Sequence, residues 1–145
     1  MLRRHRLTVA VRCFFWACWL WPRLRWGTLL GVLGYVDKQR CSDLGSEAAP
    51  LLPESVAQTA DAVVRRLPRL GVGECLLRSL VIYAVLRRRT DVEFVLGAGS
   101  LDESRRPALH CWIEANGCPL LEATDPYRRF RVLLRHRTPK AFQKP

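Results

Sequence analysis

Three side chains in this sequence have the types and spacing of an acyl-transfer site: Cys75, His110 and Glu122. Cys75 follows Gly71-Val72-Gly73-Glu74, at the point where a long apolar stretch begins. A thiol at a helix start feels the positive end of the helix dipole and the unpaired first-turn N–H groups. Both favour the thiolate, the form that attacks carbonyl carbon. The same N–H groups can receive the negative charge that develops on the attacked carbonyl oxygen. A cysteine opening an apolar helix is ordinarily just core packing, so the reading needs a base. His110 supplies one, 35 positions later on a different element, as a nucleophile and its base must be if they are to meet in space. Glu122 can hold the imidazole in its working tautomer and stabilise the imidazolium. His5 and His136 lie in basic, terminal segments and are poorer bases for this purpose. Asp125, a rival carboxylate, precedes Pro126 and reads as the cap of a turn.

Pairing His110 with Glu122 sets a condition on the hairpin between them. A two-residue Asn116-Gly117 turn puts His110 opposite Ala123 and sends Glu122 to the other face of the sheet. A three-residue loop, Ala115 to Gly117 with the glycine left-handed, puts His110 opposite Glu122 on one face. The three-residue loop is therefore expected.

The elements that must position these groups follow from periodicity. Leu7 to Leu20 has helical length and is apolar on most sides, with Pro22 expected to end it. Trp26 to Val36 reads as a second helix despite three glycines, and residues 37–53 as a linker. Val56, Ala60, Val63, Val64 and Leu67 mark one face of a helix over Glu54–Leu67, bracketed by Pro53 and Pro68. Leu76 to Leu86 is polar only at Arg78 and Ser79, so this helix must be buried on nearly every side. Strands are expected at Val92–Gly97, Ala108–Glu114, Leu120–Ala123 and Tyr127–Leu134, ahead of a basic tail from Arg135. Helices first and antiparallel strands after make an α+β domain. The natural division is an apolar helical appendage with linker over 1–53 and a catalytic core over 54–145.

At 145 residues and 49% apolar composition the chain can bury one ordinary core. Lys plus Arg number 24 against 13 Asp plus Glu, so an acidic peptide, acidic lipid or nucleic acid could be attracted. No nucleic-acid-binding motif accompanies the charge, which argues against the last. The six cysteines form no CxxC pair or other zinc spacing, so neither a metal nor another cofactor is expected, and they read as reduced, in a cytoplasmic protein. The run Cys13 to Trp21 is too short to span a bilayer. A helix lying on a membrane surface, one docked on a partner, and one that simply packs on its own core are the readings open to it.

The strings Glu74-Cys-Leu-Leu-Arg-Ser-Leu-Val-Ile-Tyr-Ala-Val-Leu-Arg-Arg-Arg89, Val92-Glu-Phe-Val-Leu-Gly97, and Leu109-His-Cys-Trp-Ile-Glu114 with Asn-Gly and Leu-Leu-Glu122 after it resemble the transglutaminase-like B proteins of lasso peptide biosynthesis. The resemblance implies a papain-related cysteine protease core that cuts the leader from a ribosomally made precursor peptide. It implies Cys75 as nucleophile, His110 as general base and then acid, and Glu122 in an orienting position that is often aspartate in that family. Some members carry an N-terminal winged-helix domain that grips the leader. The first 53 residues here have too few strands for one, which implies a separate leader-recognition protein. The resemblance also implies a partner macrolactam-forming, asparagine-synthetase-like cyclase that consumes ATP, while this chain shows no phosphate-binding loop of its own. Two other readings share the residues: acyl transfer to an amine, and a non-catalytic basic scaffold at a membrane surface.

Overall fold

A computed structural model describes residues 2–39, 52–67, 73–88, 90–101 and 107–138. Four helices come first: α1 (Leu2–Trp26), α2 (Leu29–Lys38), α3 (Pro53–Val64) and α4 (Glu74–Leu86). The strands β1 (Val92–Leu101), β2 (Pro107–Ala115), β3 (Cys118–Pro119) and β4 (Arg131–Arg137) follow, with a 3₁₀ turn at Pro126–Arg128. They form one antiparallel sheet in the order β3-β2-β1-β4. The architecture is the expected α+β. The helix that carries Cys75, α4, is the spine: Leu77, Leu80, Val81, Tyr83, Ala84 and Leu86 are all buried, against α1, α3 and the inner face of β1 and β2.

The N-terminal helices share this core. Cys13, Trp16, Ala17 and Leu20, at the spacing of one helix face, are buried with Val56 and Ala60 of α3 and Leu80 and Val81 of α4 in a single cluster. Pro22 does not end α1, which runs on to Trp26. A proline inside a helix costs about 3 kcal/mol through its missing N–H and its ring. Burial on both sides of it offsets that cost: Leu20 is fully buried, at about 1.5–3 kcal/mol for such a leucine, and Leu24 packs partly buried against the core. The chain breaks instead at Gly27-Thr28, where the Thr28 hydroxyl accepts the Gly31 N–H at 3.2 Å and caps α2, so the second helix begins at Leu29 rather than Trp26.

Asp37, expected to open a linker, is instead the buried end of α2. His136 Nε2 lies 2.8 Å from its Oδ2, and the Tyr83 and Thr138 hydroxyls donate to its Oδ1 at 2.8 and 3.2 Å. Burial alone pushes this carboxyl up. The hydrogen bonds from His136, Tyr83 and Thr138 outweigh that and hold it below the usual carboxylate range. His136 thus ties β4 to α2 and α4. Most of the expected linker, the loop before Gly73 and the end of the basic tail lie outside the described residues.

The hairpin departs from expectation. Its loop is the two-residue turn Asn116-Gly117, with φ of 51° and 79°, and Ala115 pairs with Cys118. The returning strand is Cys118–Pro119 rather than Leu120–Ala123. Leu120 still donates to the Ile113 carbonyl at 2.8 Å, but Leu121 then adopts a left-handed φ of 62° and takes the chain out of the ladder. The register that would have thrown Glu122 to the wrong face never extends that far.

Gly97 faces His110 across β1 and β2, and a Cβ there would come within 2.8 Å of the Phe130 Cβ and 2.9 Å of the Trp112 ring. We expect Gly97→Ala to lower stability by about 1–3 kcal/mol, because the Phe130 Cβ, next to its backbone, and the buried Trp112 ring would both have to shift. Gly34→Ala, in α2 with nothing within 4 Å, should raise it by about 0.5–1 kcal/mol. Thermal denaturation of the two variants checks the pair of opposite signs.

Candidate active site

Cys75 is the second residue of α4, after the N-cap Gly73 and Glu74, and its side chain is half-buried. Leu76 and Leu77 N–H groups return to the Gly73 carbonyl at 3.0 and 3.1 Å, while the amides of Glu74 and Cys75 precede any intrahelical acceptor. One turn further, on the same face as Cys75, the Ser79 hydroxyl donates to the Cys111 carbonyl at 3.0 Å. This bond fixes where the helix start meets β2.

The position follows from the short β3. Along β2, alternate residues turn their backbone groups toward the same neighbour, and Ile113 and Ala115 face β3. Cys111 is next in that series. β3 ends before reaching it, which leaves a strand-edge peptide that needs partners. α4 provides one: the Ser79 hydroxyl donates to the Cys111 carbonyl, and the Cys75 sulfur, one turn earlier on the same helix face, comes close enough to the Cys111 peptide and thiol for both to lower its pKa. The sulfur therefore lies at the edge of β2, in hydrogen-bonding reach of both the inward Cys111 thiol and the His110 ring.

His110 Nε2 is 3.0 Å from Glu122 Oε2. With Nε2 so engaged, Nδ1 is the ring atom left for the sulfur. The imidazole stacks on Phe130 (centroids 4.9 Å apart) and on Trp112 (6.0 Å), an arrangement open only because Gly97 lacks a side chain. Trp112 is itself held, its indole N–H donating to Glu114 Oε1 at 3.1 Å. Buried Glu114 also accepts from Tyr127 Oη and from Arg135, at 3.2 Å for the latter, which anchors the segment that follows Glu122. Asp125 accepts the Tyr127 N–H at 3.0 Å, as a turn cap.

All three residues singled out in the sequence are thus brought to one place, and the fold adds four others. The Cys111 thiol, donating to Cys75, is the main influence lowering the Cys75 pKa to about 5, against burial; the Cys111 N–H and His110 act in the same direction. Cys111 itself is held protonated, its pKa pushed far up by that hydrogen bond and by burial. Arg78 pairs with Asp61 at 3.1 Å and reaches within 3.9 Å of Glu122 Oε1, a buried atom with no hydrogen-bond partner among the described residues. A sequence signal for two of the four existed. Arg78 and Ser79 are the strongly polar residues of an otherwise apolar helix, three and four positions after Cys75, so they share its face. Cys111 and Asp61 carried no such mark.

The thiolate fraction of Cys75 should rise as pH increases through about 5. We expect iodoacetamide to label Cys75 readily at pH 6 while the buried Cys13, whose pKa burial raises to about 12, stays unreacted. Cys111→Ala should move the labelling midpoint upward, and Cys111→Ser, which keeps a donor, should leave it near 5. Peptide mass mapping across a pH series reads all three. A midpoint unmoved by Cys111→Ala would remove that thiol from the site's electrostatics.

Comparison with known families finds a match to the model described as transglutaminase-like superfamily over residues 19–135. No curated protein and no solved structure matches significantly. The match spans the last third of α1, the helix that bears Cys75 and the strand that bears His110, and a superfamily of cysteine-based peptidases and acyltransferases agrees with a thiolate set beside an imidazole–carboxylate pair: the chain belongs to the transglutaminase-like superfamily.

Proposed function

We propose that this chain is a cysteine peptidase that removes the leader from a ribosomally made lasso precursor peptide, in the cytoplasm, with Cys75, His110 and Glu122 as its catalytic triad. The observation that carries the peptidase reading is the meeting of a thiolate at the first turn of α4 with an imidazole whose far nitrogen is already bound to a carboxylate. The lasso precursor as substrate rests on the residue strings around Cys75, His110 and Glu122; the family match supports the transglutaminase-like core that would act on it. A separate winged-helix leader-binding protein and an asparagine-synthetase-like cyclase complete the reading as partners.

In this mechanism the Cys75 thiolate attacks the scissile carbonyl, and the amide of Cys75 faces the developing oxyanion at the helix N-terminus. The imidazolium of His110 gives its Nδ1 proton to the leaving amine, which departs with the C-terminal part of the precursor and leaves a thioester on Cys75. His110 then takes a proton from water, the hydroxide attacks the thioester, and the leader leaves as a free acid. Glu122 keeps Nε2–H engaged throughout, so that Nδ1 stays turned to the sulfur. Arg78 would position Glu122 from behind.

The test is reconstitution of this chain with a precursor peptide and a candidate leader-binding protein, followed by mass spectrometry. Cys75→Ala should abolish cleavage. His110→Ala and Glu122→Gln should each slow it by about a hundredfold or more. Arg78→Met should lower kcat by about tenfold while leaving KM little changed, if it acts through Glu122 rather than on substrate. Intact precursor with the wild-type chain, or a product mass carrying an amine in place of water, would end the peptidase reading. Cleavage by the chain alone would remove the requirement for a leader-binding partner.

A further inference from the structure

α1 has two apolar faces and only one of them is covered. Cys13, Trp16, Ala17 and Leu20 pack into the core, yet on the opposite side Leu7 is 66% exposed, Val11 59%, Phe14 53%, Phe15 60% and Trp26 80%. These positions recur at helical spacing and form one stripe about the length of the helix. Trp19, 42% exposed, joins it, stacked on Phe15 at 5.9 Å between centroids. At its end the stripe opens into a cleft of about 440 Å³ between α1 and α2, walled by Trp26, Val32 and Tyr35. The guanidinium of Arg23 lies over the rings of both Trp19 and Tyr35, at 4.5 and 4.1 Å. Singly exposed apolar residues need no explanation, but a continuous aromatic ridge does.

The charge around this ridge identifies its occupant. The sequence has no acidic residue before Asp37, which is itself buried and paired, whereas Arg3, Arg4, Arg6, Arg12, Arg23 and Arg25 all precede it. No carboxylate among the described residues pairs with Arg12, Arg23 or Arg25. No helix among the described residues is long and apolar enough to cross a membrane. A convex ridge of Phe, Trp and Leu bordered by uncompensated arginines has the chemistry of an interfacial helix. The aromatic rings sit at headgroup depth and the guanidinium groups meet lipid phosphate.

We infer that the outer face of α1 docks this protein on the surface of an anionic bilayer, lying in the interface and leaving the β2 edge with Cys75 free. This inference is independent of the peptidase reading. The experiment is co-sedimentation of the full chain with vesicles of phosphatidylglycerol and phosphatidylcholine in equal parts, and with phosphatidylcholine alone. Binding to the first, weakened by salt, and much weaker binding to the second are expected. Phe14→Ser/Phe15→Ser/Trp26→Ser should bind about tenfold or more weakly, with unchanged far-ultraviolet circular dichroism as the control for folding. Should the triple variant not fold, Trp26→Ser alone, at the most exposed of the three, serves instead. Brominated acyl chains should quench the tryptophan emission of the wild type more than that of Trp26→Ser. Failure to bind the anionic vesicles, or binding that the substitutions leave intact, overturns the inference. So does a wild-type dimer in size-exclusion chromatography that the triple variant converts to monomer, because the ridge then covers a second copy of the chain.

Discussion

The peptide group of Cys111 is the hinge of this structure. Its N–H and carbonyl face outward from β2 at a point the short β3 does not reach, and an unpaired strand edge inside a packed domain is costly unless something satisfies it. The first turns of α4 do so: the Ser79 hydroxyl takes the Cys111 carbonyl, and the Cys75 sulfur sits close enough to the Cys111 peptide for it to lower the sulfur's pKa. One arrangement therefore performs two tasks. It closes the edge of the sheet, and it holds a sulfur beside the imidazole of the preceding residue of β2, His110.

Everything around the cluster keeps that relation rigid. His110 is stacked on Phe130 and Trp112, Trp112 is bonded to buried Glu114, and Glu114 in turn binds Tyr127 and Arg135. On the other side, Arg78 with Asp61 links α4 to α3 behind Glu122, and Asp37 with His136 and Tyr83 closes α2 and α4 onto β4. Buried charges in these positions are each paired or hydrogen-bonded, as burial demands, and their short reach specifies one packing of helix on sheet. Under the proposed peptidase reading this pre-organisation matters, since the sulfur, the ring nitrogen and the oxyanion donors would have to be aligned when substrate arrives.

The low Cys75 pKa has an uncommon main contributor in a second thiol. The helix start was the anticipated source of thiolate stabilisation, and its geometry is present. Yet the neighbour that donates directly is Cys111, kept protonated by burial and by that same bond. The two cysteines are therefore unequal: Cys75 holds the negative charge, and Cys111, turned into the core, keeps its proton and stabilises that charge.

What the sequence determined by itself was the set of elements and the residues with reactive side chains. The periodicity of residues 54–67 and the unbroken apolarity of 76–86 required helices. The alternation around His110 required a strand, and the order of these elements required an α+β fold. Cys75, His110 and Glu122 stood out because few other residues combine those types with separations that tertiary contact can close. Tertiary structure decided what depends on competition between local rules and burial. Pro22 was read as a stop, but Leu20 and Leu24 carry α1 through it. The hairpin was expected to need a three-residue loop. Asn116-Gly117 instead made its preferred two-residue turn, and Leu121, at a backbone angle no propensity would assign to leucine, returned Glu122 to His110. Cys111 as a donor to Cys75 was invisible in one dimension because its role comes from a strand edge left open, and the length of β3 is fixed only when the chain leaves the ladder to pack elsewhere.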